Sequence, residues 1–180
     1  MDFSLIATGA AKLLFGLFVS VIGITTAVRT MKRAIGFSDI STAILDNNVA
    51  VAATFAAAVI AVGLLVQPSV YGVFSAFELL FATAQSWTSW MWLLVYAVVH
   101  VLLSLAIGIS VLIIGVQIAI RLTPSVDEVE EIRGGNIAAA LVLAAVLIVL
   151  ALVSRDSVQS ILNGLLPMPV LGRDAFIQPF

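Results

Sequence analysis

The chain has 180 residues, of which 62% are hydrophobic and only 10% charged, with a formal net charge of −2. Soluble domains carry about a quarter charged residues, so lipid rather than water is the expected solvent, and so small a charge argues against nucleic acid as a partner. There is no cysteine and a single histidine, His100, which excludes disulfides, thiolate chemistry and a histidine-built metal site; no cofactor is expected.

The N-terminal Met1-Asp2-Phe3 lacks the basic n-region of a signal peptide, so the first apolar run is expected to be retained. That run covers residues 3–28, is interrupted only by Lys12, and is closed by Arg29, Lys32 and Arg33. A membrane-crossing helix needs about 20 apolar residues, so it is long enough to span with tilt. A second run, 49–66, ends at Gln67-Pro68. Residues 71–90 then carry Glu78 and Gln85 among Phe74, Phe77, Leu80 and Phe81 at helical spacing, and lead into Trp87, Trp90 and Trp92. Tryptophan and tyrosine favour the headgroup level, which predicts an interfacial helix or shallow re-entrant segment here. The third and fourth runs are 91–120 and 137–153. Pro167, Pro169 and Pro179 break helices, so residues 156–164 are expected to form a short interfacial helix and 167–180 an extended tail. The chain is therefore an all-α membrane protein with four transmembrane helices and short interfacial helices.

Displacing the chain by 88 residues, without gaps, aligns Arg33 with Arg121, Asp39 with Asp127, Ile44 with Ile132, Asn48 with Asn136, and Ser69-Val70 with Ser157-Val158. Alanine and leucine matches are cheap in so apolar a chain, but these polar matches fall in one order at one spacing. Gly16 also coincides with Ser104 and Ser20 with Gly108, a small-xxx-small pair in each first helix that lets helix backbones approach closely in lipid. The reading is two tandem two-helix repeats in parallel orientation, 1–88 and 89–166, related by a pseudo-twofold axis along the membrane normal. Each repeat has an elbow between its helices. Arg29, Lys32, Arg33, Arg121 and Arg133 lie on the elbows, against Lys12, Arg155 and Arg173 on the other side. This bias favours elbows inside and termini outside.

The second elbow resembles a known family. Arg121-Leu122-Thr123-Pro124, then Asp127-Glu128, Ile132, Gly135-Asn136 and Ala138-Ala139-Ala140, is similar to the signature of the DUF350 (UPF0719-like) bacterial membrane proteins. That family's repeat is two helices around such a hinge, often duplicated. The first elbow is similar but degenerate: Ile35-Gly36 stands for Thr-Pro and Asn47-Asn48 for Gly-Asn. The resemblance covers roughly residues 13–165 and implies a fold without an assigned activity.

Among polar residues, Ser125 and Glu128 fit a capping box behind Pro124. Asp127, Glu128, Glu130 and Glu131 then sit where a helix N-terminus favours negative charge, with Val126, Val129 and Ile132 facing the membrane. As a solvated face these acids could meet a partner; in a ring of subunits they would form a cation-attracting vestibule. Asn48 and Asn136 open the second and fourth helices, where asparagine caps well, or alternatively they ring a pore mouth. The alanine faces of Ala50, Ala53, Ala57 and Ala61, and of Ala140, Ala144 and Ala151, imply tight packing within or between subunits. Lys12 and His100 coincide across the repeat; snorkelling accounts for Lys12, and polar contact at the interface for His100, a residue type that also suits pH sensing. Glu78 points to water if 71–90 lies flat, and becomes a functional intramembrane acid if that segment re-enters.

No charged residue falls mid-span, no broken helix marks a transport site, and no nucleophile–base pair or phosphate loop is present, so an enzyme is not expected. The preferred reading is an oligomeric structural or docking subunit, serving the envelope under stress, whose acidic elbows (Asp39, Asn48, Asp127, Glu128, Glu131, Asn136) recruit a cytoplasmic or peripheral protein. The alternative is a homo-oligomeric ion channel, with Thr54, Ser104, Ser110 and Gln117 as the only polar residues available for a lining.

Overall fold

The computed structural model describes residues 3–36, 40–82, 87–122 and 127–165. They form six helices and no strand: α1 (Phe3–Ile35), α2 (Ile40–Leu45), α3 (Val49–Ala82), α4 (Trp87–Leu122), α5 (Glu128–Arg133) and α6 (Ile137–Leu165). The order is long, short, long, then long, short, long again. The four long helices are each long and apolar enough to cross a membrane.

The centre of the bundle is α3, which packs against α1, α4 and α6, while α4 also packs against α6. The alanine faces explain this arrangement. Ala50, Ala57 and Ala61 of α3 and Ala140, Ala144 and Ala151 of α6 are all buried within the subunit, and side chains this small let two backbones approach where lipid supplies no hydrophobic drive. Gly115 does the same between α4 and α6: a Cβ there would lie 2.6 Å from Leu147 Cδ2. On the rim, leucines, isoleucines and valines are left exposed (Leu13, Leu17, Val98, Leu141 among them), as a lipid-facing surface requires.

Two expected elements are not separate. Residues 71–82 continue α3 without a break, and Trp87 to Trp90 are the first turn of α4; residues 156–164 likewise continue α6. Pro68 lies inside α3 without ending it, and hydroxyls bond carbonyls in the turn before it. Ser69 Oγ donates to the Val66 carbonyl at 2.8 Å, and Ser104 Oγ reaches across from α4 to the Leu65 carbonyl at 2.9 Å. Membrane helices tolerate proline when hydroxyls satisfy the disturbed backbone in this way. With 34 and 36 residues, α3 and α4 run for about 50 Å at 1.5 Å per residue, against about 30 Å of hydrocarbon. Counted from the elbows without tilt, the last turns of α3 and first turns of α4 extend past the hydrocarbon on the far side, in keeping with the tryptophans at the start of α4.

Candidate functional site

The two elbows meet at one end of the bundle, where side-chain hydrogen bonds run from one to the other. Each short helix ends in the same way. In the first, the backbone N–H groups of Asp46, Asn47 and Asn48 donate to the carbonyls of Thr42, Ile44 and Ala43 at 2.9, 3.1 and 2.8 Å. In the second, Gly134, Gly135 and Asn136 donate to Glu130, Ile132 and Glu131 at 2.8, 3.1 and 2.9 Å. This is a Schellman ending, which needs a left-handed residue just past the helix. Asn47 (φ 52°) and Gly135 (φ 92°) supply it, and asparagine is among the few side chains that enter that region readily.

The residue after each turn caps the next long helix. Asn48 Oδ1 accepts from the Val51 N–H at 3.0 Å; Asn136 Oδ1 accepts from Ala138 and Ala139 at 3.0 and 3.4 Å. Both asparagines therefore satisfy helix-end donors, the role their residue type favours. Their amide groups differ in destination. Asn136 Nδ2 stays within its elbow and donates to Glu131 Oε2 at 2.7 Å, whereas Asn48 Nδ2 crosses to the other elbow and donates to the Arg133 carbonyl at 3.0 Å.

Arg133 completes the link. Its Nε and Nη2 both donate to the carbonyl of Ile35, the last residue of α1, at 2.9 and 2.6 Å. That carbonyl is one of four a helix C-terminus leaves without an intrahelical donor, and a cation is favoured there by the helix dipole. Nη1 lies 3.4 Å from Glu130 Oε2, an exposed pair that adds little. Gly36 (φ 66°) makes room for the guanidinium, since a Cβ at that position would collide with Arg133 Nη2. In the sequence Arg133 reads only as a positive charge; the one signal of its contact is a glycine directly after α1.

The acidic residues divide by role. Asp127 is the N-cap of α5, with backbone angles outside the helical region and Oδ1 accepting from the Glu130 N–H at 3.2 Å. The expected cap at Ser125 places the start too early; Ser125, Pro124 and Asp39 themselves lie outside the described residues. Glu128 is buried, not part of a solvated face, and Ile132 is buried in the core where membrane contact was expected. Glu130 and Glu131 remain exposed.

Away from the elbows, His100 is fully buried among its neighbours in the bundle. Its ring stacks on Tyr96 with centroids 4.3 Å apart, and it faces Gly72 of α3, where a Cβ would lie 3.0 Å from His100 Cε1. Ser104 and Gly108 are buried between α4 and α3, Gly108 opposite Val62 and Leu65. Their counterparts differ: a Cβ added at Gly16 would meet nothing within 4 Å, and Ser20 is exposed with its hydroxyl turned back to the Gly16 carbonyl at 2.7 Å. Lys12 folds its ammonium over the rings of Tyr71 and Phe74, 5.6 Å from each centroid. Glu78 is exposed on the part of α3 far from the elbows.

Compared with known proteins, residues 90–172 match the family described as Domain of Unknown Function (DUF350). No curated protein and no solved structure matches the chain. The matched region takes in nearly all of α4, the Arg133–Asn136 turn and α6, and over it this multi-pass chain is similar to the DUF350 family.

Proposed function

We propose that this protein is an oligomeric structural and docking subunit of a bacterial inner membrane, built as a tandem duplication, with its elbows and their exposed acids on the cytoplasmic side. The observation that carries this reading is the cross-tie between the elbows. Arg133 holds the end of α1 and Asn48 holds the end of α5, so Asp46, Glu130 and Glu131 are presented from one braced platform. The matching turn geometry at an offset of 88 residues supports the duplication, and the basic residues gathered at the elbow end support the orientation.

A channel through one subunit has less support. These hydroxyls of the spans are turned onto backbone carbonyls: Thr54 donates to Ala50, Ser104 to Leu65 and Ser110 to Ala106. A conduction path would have to form between copies.

Two measurements separate the readings. On the docking reading, a cytoplasmic protein purified in stoichiometric complex rebinds the full-length protein in proteoliposomes, and Glu130→Lys with Glu131→Lys abolishes rebinding. A selective current across reconstituted bilayers, lost in Asn136→Ala, would replace this reading with the channel.

A further inference from the structure

The two halves of the chain are not used equally, and the inequality has a direction. On α4, the face bearing Ser104 and Gly108 is buried against α3. On the equivalent face of α1, a Cβ at Gly16 would meet nothing within 4 Å and Ser20 is exposed. Ala151 of α6 is buried, while its equivalent Gly63 on α3 is exposed with nothing within 4 Å. The elbows agree, since Ile132 is 0% exposed and its equivalent Ile44 is 62% exposed. On the other side of the same internal contact, Ala61 and Leu65 of α3 are each 0% exposed, and their equivalents on α6, Val149 and Val153, are 57% and 74% exposed.

The first half therefore has an empty socket of the kind that the second half fills with α3. The second half has an uncovered key of the kind that α3 inserts. The socket is visible as a groove of about 570 Å³ between α1 and α3, lined by Gly16, Ser20, Gly23 and Gly63. We infer that copies of this chain join head to tail, with α6 of one copy seated in the α1–α3 groove of the next, repeating the contact that joins α3 to α4 and α6 within each chain. This rests on the duplication in the reading above. A contact between different patches is heterologous, and closes into a ring or extends as a row.

The occupant is fixed by continuity with the internal contact rather than by the small residues alone. Ser104 lies on Leu65 and Gly108 on Val62 and Leu65, so Gly16 is placed on Val153 and Ser20 on Leu150 and Val153 of the neighbour. Charge agrees at the outer end. The equivalent of His100 is Lys12, and the equivalent of Gly72, which His100 faces, is Ser160. One turn from Ser160, and bonded to its hydroxyl through a backbone carbonyl at 3.0 Å, is the exposed Asp156. Lys12 of one copy thus meets a carboxylate of the next.

The absence of cysteine makes the test direct. One full-length copy with Ser20→Cys and a differently tagged copy with Val153→Cys are co-expressed, and membranes are oxidised before solubilisation. The expected product is a mixed disulfide dimer, with neither variant crosslinking to itself, and a chain carrying both substitutions yields a ladder of dimers, trimers and larger species. Gly16→Leu, whose Cβ would meet nothing within 4 Å inside the subunit, is expected to lower that crosslinking at least tenfold while leaving the helical circular dichroism unchanged. A Ser20→Cys self-crosslink would mean a symmetric α1–α1 dimer and would overturn the proposal. So would absence of the mixed dimer, or a ladder indifferent to Gly16→Leu. The readout involves no soluble partner, so loss of docking with an intact ladder would sink the docking role alone.

Discussion

Replacing Arg133 by methionine tests whether the elbows are coupled. The substitution keeps much of the aliphatic stem and removes both hydrogen bonds to the Ile35 carbonyl, at 2.9 and 2.6 Å. Hydrogen bonds from a charged donor contribute about 1.5–3 kcal/mol, and the side chain is partly exposed, so a loss of about 2 kcal/mol is expected. Nearly all of it should appear as opening of the last turn of α1, because the rest of the bundle is held by α3 and α6. Since about 1.4 kcal/mol is a factor of ten, amide exchange over residues 31–35 should accelerate about thirtyfold, while α6 is unchanged. Arg133→Lys keeps a charge but not the two-pronged donor geometry and should fall between. Glu130→Gln removes only an exposed ion pair and should change exchange less than threefold. If Arg133→Met left residues 31–35 protected, or if Glu130→Gln had the same effect, the elbows would not be held together by this contact.

Other expectations follow from the same geometry. Gly36→Ala forces a methyl into the left-handed region and into Arg133, so it should destabilise more than Gly135→Ala, which carries only the conformational cost of about 1 kcal/mol; denaturant titration in detergent compares them. Asn48→Ala loses both a cap and the bond to the Arg133 carbonyl, about 2 kcal/mol together, whereas Asn48→Asp keeps the cap and should lose about half as much in the same titration. Single cysteines at Asp46 and Glu131 should react with a membrane-impermeant thiol reagent from the same face of the membrane, and one at Ser157 from the opposite face; labelling Asp46 and Glu131 from different faces would contradict the platform.

The spans were legible because lipid enforces them: each apolar run exceeds the length that a bilayer needs, and nothing else accommodates such a run. What hydropathy did not carry was continuity. Gln67-Pro68 and the aromatic segment after it read as a break, since a proline lacks its amide donor and the tryptophans mark an interface. The hydroxyls that bond carbonyls beside the proline are Ser69, in the same turn, and Ser104, 39 residues away on another helix, and the second can only be seen in three dimensions. The candidate residues divide similarly. The caps at Asn48 and Asn136 are local, so residue type and position were enough to find them. The burial of His100 was not legible because it depends on Gly72 of the facing helix as well as on Tyr96 one turn away, and that of Glu128 and Ile132 because the direction in which a six-residue helix faces is set by its neighbours.

The degenerate first elbow shows what the family's hinge signature specifies. Gly-Asn in the second elbow and Asn-Asn in the first give the same set of backbone hydrogen bonds, agreeing within 0.1 Å at the three turn positions compared above. The requirement is therefore conformational: a residue able to adopt positive φ, followed by one whose side-chain oxygen accepts from the next helix. Glycine meets the first condition by lacking a Cβ and asparagine by tolerating the left-handed region, and only the second position needs a particular oxygen. Where the elbows part company is outside the turn, in what each amide reaches. Asn136 closes on Glu131 and Asn48 opens toward Arg133. The turn thus serves as a common mechanical part, and the first elbow's departure lies in the residues that let one elbow grip the other.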